Sequence, residues 1–370
     1  MEEKTFLQDL QTRKLPPVIP EGMTAAQWPA YRKQLIELFS REVYGYSPPP
    51  PKKVIAEILS SNPEEWAGKA KEHRVKLSFD TPGGEFSFPI HVVLPKSETP
   101  RPMVIYMSFE PYIDGYYMPI EEIIDNGYAL ATFNYNDVSL DDRDGWLADG
   151  LAAMYPRKND GADWGQCGMW AYAASRVLDY ALTLEQVDAG RVFVAGHSRL
   201  GKTALWCAAQ DERFAGVGVN DSGFGGMAVA RGKMGERTGH VPERIERWFC
   251  KNFLNYVDRE GDLPFDQHML AALVAPRLLG VCNAEQDIWA DPQSEFMSLY
   301  EADKAYTLLG VPGLVAPAEY PTAPAQFPEG RIGYSLRRGT HFMSRDDWGF
   351  YLKFWANHIF KNQDKIQVNT

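Results

Sequence analysis

From about residue 100 onward, short continuously apolar runs alternate with longer stretches of helical spacing. The runs at 103–107, 129–133, 192–196, 215–220, 276–282 and 332–336 read as strands. Strands that stay apolar throughout are expected where helices cover both faces of a parallel sheet. Helical spacing appears at 164–184, 200–210, 293–308 and 348–360. Before residue 100 the pattern differs. Residues 25–43 have amphipathic spacing, and the prolines at 48–51 end it, since proline cannot continue a helix. Two alternating segments, 74–79 and 86–94, flank Thr81-Pro82-Gly83-Gly84 and predict a hairpin. The expectation is a single α/β domain over residues 1–370. Its central sheet is mostly parallel and covered by helices on both faces, a three-layer sandwich. An N-terminal arm takes about residues 1–50. Less regular stretches at about 223–267 and 310–329 read as insertions over the sheet. Ligands of open α/β sheets bind beyond the carboxyl ends of the strands, so insertions there shape a site.

Composition narrows the function classes. The 370 residues are 45% hydrophobic and 24% charged, a globular balance, and a chain of this size builds a core without disulfides. The formal charge of −11 disfavours a nucleic-acid backbone or an anionic membrane surface as partner. Cys167, Cys207, Cys250 and Cys282 form no C-x-x-C pair, against zinc-ribbon and thioredoxin-type sites. They read as small buried hydrophobes. The start, MEEKTFLQDL, has no basic region followed by an apolar one. No run reaches the ~18 apolar residues of a membrane span. Read from Met1, the chain is expected to be cytoplasmic; a leader trimmed from the sequence would make it secreted or periplasmic.

The candidate chemistry centres on residues 191–202. An apolar strand runs directly into a helix, with Ser198 at the turn. That is the setting of a nucleophile elbow, which exposes the hydroxyl and aims backbone N–H groups of the helix start at a developing oxyanion. The general pattern is G-x-S-x-G. Here Leu200 stands at the second glycine, and Gly201 follows one residue later. A plain strand–helix turn with a capping serine fits the same residues.

A serine hydroxyl is a weak nucleophile without a base. His73 and His91 lie in the early β segment, His240 in the first insertion, and His268 and His358 on helices. His197 adjoins the serine and is expected to point elsewhere. His341 remains, between the strand at 332–336 and the last helix, where an α/β-hydrolase carries its base. The orienting acid must lie between the two in the order Ser, acid, His. Asp287 follows the strand at 276–282, and Asp221 follows the strand at 215–220. Glu285 and Asp291 share the loop of Asp287 and are weaker candidates. Each acid also fits a solvated loop residue or a helix cap.

Taken together, these residues resemble the glucuronoyl esterases (carbohydrate esterase family 15) in their bacterial form, α/β-hydrolases acting on lignin–carbohydrate esters. The family signature Gly-Cys-Ser-Arg-x-Gly-Lys is matched by Gly196-His197-Ser198-Arg199-Leu200-Gly201-Lys202. Likeness continues through residues 204–214, Ser222-Gly223, Asp266-Gln267-His268-Met269 and Trp289-Ala290-Asp291-Pro292. The resemblance implies the α/β-hydrolase fold, Ser198 as nucleophile, His341 as base and Arg199 as oxyanion ligand. Asp287 sits where bacterial members place an acid. Asp221 sits where fungal members carry a glutamate, one methylene longer, so its reach to His341 is in question. Asp287 is the expected main acid, with Asp221 supporting or replacing it. Lys202, Glu236 and Trp289 match sugar-binding positions. On the residues alone they would read as a solvated lysine, a surface acid and a core tryptophan. His197 replaces the signature cysteine and Thr340 is not cysteine, so the disulfide of fungal members is absent, which fits a reducing compartment.

The implied activity is hydrolysis of (4-O-methyl-)glucuronic acid esters through an acyl-enzyme, on a small molecule or an oligosaccharide. No metal or organic cofactor is implied, and a monomer is expected. The runner-up is an acetyl xylan esterase or another carbohydrate esterase on the same scaffold. A catalytically silent, hydrolase-like binding protein ranks below both.

Overall fold

The computed structural model describes residues 5–110, 118–158, 160–240 and 242–360. The first four residues of the expected arm, position 241 of the first insertion and residues 361–370 lie outside it. Among the described residues, ten strands form one sheet: β1 (Ile55–Glu64), β2 (Ala70–Thr81), β3 (Gly84–Pro95), β4 (Arg101–Ser108), β5 (Ala129–Asn134), β6 (Val187–His197), β7 (Gly216–Asn220), β8 (Leu278–Ala284), β9 (Ala325–Phe327) and β10 (Ile332–Arg337). Their order is β1-β2-β3-β5-β4-β6-β7-β8-β10-β9. From β5 to β10 the neighbours are parallel. The β1–β2–β3 end and the β9 edge are antiparallel.

Alternation along the parallel strands sends side chains to two separate cores. Val104, Phe193 and Ala195 pack with Ile120–Asp125 and Arg345–Ile359 on one face. Met103, Ile105, Val192 and Val194 pack on the other. There they meet Gln166–Ala181, Arg199–Gln210, Gln267–Ala272 and Pro292–Leu308. These are the helix, sheet and helix layers expected of an α/β-hydrolase. The N-terminal arm joins the second core. Phe6 meets Phe296 and Tyr300 at 5.4 and 5.5 Å, and Arg32 donates to the Ala209 and Leu273 carbonyls.

Two strands carry no readable apolar pattern. Every residue of β1 is exposed, so no alternation marks it, and Pro63 within it is tolerated at a sheet edge. β9 is three residues long, between Pro324 and Pro328, within the stretch read as an insertion at 310–329. Among its described residues, the 223–266 part of the first insertion holds one α-helix, Pro242–Trp248, and the 3-10 turns Thr238–His240, Lys251–Tyr256 and Glu260–Asp262. Among the described residues, no helix is long and apolar enough to cross a membrane.

Candidate active site

Ser198, Asp221, Asp287 and His341 follow β6, β7, β8 and β10 in turn. These four strands are consecutive neighbours in the sheet, so four loops distant in sequence meet at one edge. The first is an elbow. Ser198 has φ 56° and ψ −125°, a left-handed conformation that a side-chain-bearing residue rarely holds. Its N–H donates to the Asn220 carbonyl at 2.8 Å, and its own carbonyl accepts from Gly201 and Lys202. A Cβ at Gly196 would lie 2.2 Å from the Leu200 carbonyl oxygen, and one at Gly201 would lie 2.9 Å from the Asn220 oxygen. Both glycines are required by strand–helix contact. Leu200 is fully buried, so the close approach uses the position after it. The helix Arg199–Gln210 thus begins at the serine, and its first N–H groups have no partner within the helix.

His341 lies on the loop after β10. Its Nδ1 is 2.5 Å from Asp287 Oδ2, although the side chain is 43% exposed. Asp287 is buried and accepts from the Ala290 N–H at 3.2 Å. Asp221 is also buried, with φ 42°. Its Oδ1 accepts from the Ala284 N–H at 2.9 Å and Asn283 Nδ2 at 3.3 Å, while Oδ2 is buried without a hydrogen-bond partner. Burial, and then the nearby Glu295 carboxylate, hold the Asp221 carboxyl well above the usual range. Glu295 is pushed up to about 7, first by burial. Asp221, Asp287 and His341 bring one ligand atom each within 4.8 Å of one another. The shorter aspartate therefore does come near the histidine. Such spacing suits a divalent cation, but the Arg337 guanidinium, 3.9 Å from Asp221 Oδ2, opposes further positive charge.

His197 corrects an expectation. Its ring does not point away; it packs against His341 with centroids 4.4 Å apart. Its Nδ1 is 2.5 Å from Asn220 Oδ1. Since Asn220 Nδ2 donates to the Cys282 carbonyl, the asparagine offers oxygen and His197 Nδ1 carries the proton. Burial and the adjacent His341 push His197 down to about 3, which keeps it neutral beside that ring.

On the other side of the serine, Arg199 lies 4.7 Å from the Trp248 ring and 5.5 Å from Phe109. It forms an ion pair with Asp141, while its Nε is buried without a partner. Asp141 is fixed in turn by Trp248 Nε1 at 3.1 Å and Arg247 at 3.4 Å. Lys202 is buried, not solvated, with Nζ 4.0 Å from Glu236 Oε2. Burial lowers its pKa, and Glu236 works against that shift. Glu236 is buried too and accepts from Arg244 at 2.8 Å. Its N–H donates to the Trp289 carbonyl at 2.9 Å. Trp289 is half exposed rather than core, and His240 stacks on it at 5.7 Å. The structure thus joins Lys202, Glu236 and Trp289 in one contact chain beside the serine helix.

Sequence reasoning missed Asp141, Asn220, Glu295 and Arg337. The partners of Asp141, Asn220 and Glu295 lie from twelve to more than a hundred positions away, and those of Arg337 include Asp347, ten positions on, and backbone carbonyls that carry no sequence signal. All four cysteines are buried and free. Size does not mark the site either: a groove of about 680 Å³ lined by residues 46–53, Asp80, Thr81, Pro82, Tyr155 and Trp164 contains none of these residues.

A family model described as glucuronyl esterase, fungi, matches residues 77–310. The chain belongs to the glucuronoyl esterase family. A carbohydrate esterase from an unidentified prokaryote is 40% identical over 244 residues, covering 65% of this chain and 56% of the relative. The 4-O-methyl-glucuronoyl methylesterase of Podospora anserina is 28% identical over 299 residues, covering 77% of this chain and 57% of the relative. The chain thus spans little more than half the length of these two relatives. The glucuronoyl esterase of Solibacter usitatus superposes with a TM-score of 0.85 at 32% identity, covering 93% of this chain and 97% of the other. That structural likeness extends beyond residue 310 and over most of the glucuronoyl esterase fold.

Proposed function

We propose that this chain is a serine esterase that hydrolyses esters of glucuronic acid or its 4-O-methyl ether. The observation that carries the reading is the 2.5 Å contact of His341 with Asp287 at the sheet edge where Ser198 stands on a strained elbow. His341 Nε2 removes the serine proton as the hydroxyl attacks the ester carbonyl. Asp287 holds Nδ1–H and stabilises the imidazolium. The Arg199 guanidinium and the first N–H groups of its helix meet the oxyanion. Charge-assisted hydrogen bonds are roughly twice as strong as neutral ones, which gives the arginine weight there. The tetrahedral intermediate collapses, and the leaving alkoxide takes the proton from His341. Water, activated by the same histidine, then releases the uronic acid and restores the serine. Lys202 and Glu236 offer a cation and an anion to sugar hydroxyls, and the exposed Trp289 offers an apolar face. Asp221 supports the histidine from its buried position.

The test is hydrolysis of the benzyl ester of glucuronic acid, beside an acetylated xylo-oligosaccharide, by wild type and Ser198→Ala. Serine-dependent release of benzyl alcohol is expected, with kcat falling by at least ~10³-fold in the variant. Deacetylation alone would retain the triad and overturn the uronate specificity. No serine-dependent hydrolysis of either ester would overturn the esterase reading.

A further inference from the structure

We propose that Arg337 is the positioning residue for His341, its guanidinium organising the loop that presents the imidazole to Ser198. Arg337 is the last residue of β10, and its side chain turns back under the loop that follows. Nη1 donates to the Arg338 carbonyl at 3.1 Å, and Nη2 to the Thr340 carbonyl at 3.3 Å. Nη2 also donates to the Phe342 carbonyl. One guanidinium therefore holds the peptide groups on both sides of His341. Gly339, at φ 105°, wraps closely enough that a Cβ would lie 3.1 Å from Arg337 Nη1. At its other end the guanidinium donates through Nε to buried Asp347 at 2.9 Å. Asp347 also caps the final helix through Ser344. Arg337 thereby fastens the histidine loop to a fixed helix end.

His341 needs such a device. With its side chain 43% exposed, packing alone does not fix it. Two backbone bonds tie this segment to the loop bearing Asp287, from the Glu285 N–H to the Arg337 carbonyl and from the Gln286 N–H to the Gly339 carbonyl. A planar fork that stays charged can serve three carbonyls and a carboxylate at once, which a lysine ammonium cannot. The charge also lies 3.9 Å from Asp221 Oδ2, the buried oxygen without a hydrogen bond. Loop geometry and the second acid therefore meet at one side chain.

This inference rests on the esterase reading, and Arg337→Lys separates the two. The variant keeps the charge and loses the fork. Expected is a fall in kcat of about 10- to 100-fold, as for a reacting group displaced by roughly 1 Å. KM should stay within about twofold, because Lys202, Glu236 and Trp289 lie on other segments and ground-state binding is retained. Labelling of Ser198 by a fluorophosphonate, which needs the Ser–His pair but no sugar, should slow in parallel below the melting temperatures of both proteins. Arg338→Gln, on the exposed neighbour, should behave as wild type. Should Arg337→Lys lose its cooperative melt, Asp347→Asn loosens the anchored end of the guanidinium. It should give the same split of kcat from KM with a smaller loss. Wild-type kcat and labelling in the variant, or a rise in KM with kcat unchanged, would overturn the inference alone. A wild type that neither turns over nor labels would overturn both readings.

Discussion

The two halves of the site are built differently. On the nucleophile side, seven contiguous residues supply almost everything: Gly196 and Gly201 permit the close turn, Ser198 takes the strained conformation, and Arg199 and Lys202 extend from the new helix. On the base side only the turn from Arg337 to Phe342 is contiguous. His341 is exposed and depends on Asp287, 54 positions away, on the His197 ring and on Arg337 below it. The first half is a local steric solution, and the second is an assembly of long-range contacts over buried charge. A local solution fails when its backbone is altered. An assembly fails gradually, as supports are removed one at a time.

The sharpest test of the assembled half compares its two acids. Asp287→Asn should lower kcat by on the order of 10³–10⁴, because a neutral amide does not stabilise the imidazolium and its NH2 group can hold the ring in the wrong tautomer. Asp221→Asn should cost about tenfold, equivalent to one modest electrostatic contact. The double variant should fall short of the product of the two losses if the acids act as a unit. Steady-state rates on one glucuronate ester decide it. A severe Asp221→Asn and a nearly silent Asp287→Asn would reverse the assignment.

The local half is broken by one methyl group. In Gly196→Ala the new Cβ would sit 2.2 Å from the Leu200 carbonyl, a backbone atom with no room to yield. Overpacking of this kind costs about 1–3 kcal/mol or more, and here the strain falls on the turn that aims Ser198. The melting temperature should drop and fluorophosphonate labelling should nearly cease. A variant that labels at the wild-type rate would show that the elbow is not the local lock described.

The same contrast explains how much the sequence disclosed. The parallel strands were legible because each is apolar along its length. β1 was not, because it is exposed on both faces, and β9 was too short. Ser198 could be read from its strand–helix turn and His341 from chain order and the preceding strand, while Arg199, Lys202 and the preference for Asp287 over Asp221 came only from the family resemblance. The relative weight of Asp221 was not legible, since its burial depends on Asn283, Glu295 and the β7–β8 pairing. Nor was the orientation of His197, which is set by Asn220, 23 residues on. Asp141 and Arg337 stand in polar segments that look like any solvated loop. Only the folded chain shows that one grips Arg199 and the other grips the turn around His341.

Buried charge behind the base side also leaves a mark on stability. Glu295 is fully buried, accepting from Ser222 Oγ, the Gly223 N–H and Asn283 Nδ2, and burial pushes it from 4.5 up to about 7. A carboxyl raised in the folded state binds its proton more tightly there than in the unfolded chain. Its stabilising contribution is complete below about pH 4.5 and is lost as pH rises through about 7. The raised Asp221 carboxyl acts in the same direction. His197, pushed down to about 3, opposes it, because its neutral form loses stability as pH falls. Glu295→Gln removes one term and leaves His197 in place. The variant should be less stable than wild type at pH 5, where its amide cannot accept all three donors. The two melting curves should then converge towards pH 8, as wild type alone loses on the order of 2–3 kcal/mol. Thermal melts of both proteins at pH 5, 6, 7 and 8 measure this, and a constant gap across the series would show that Glu295 does not titrate in the folded protein over that range.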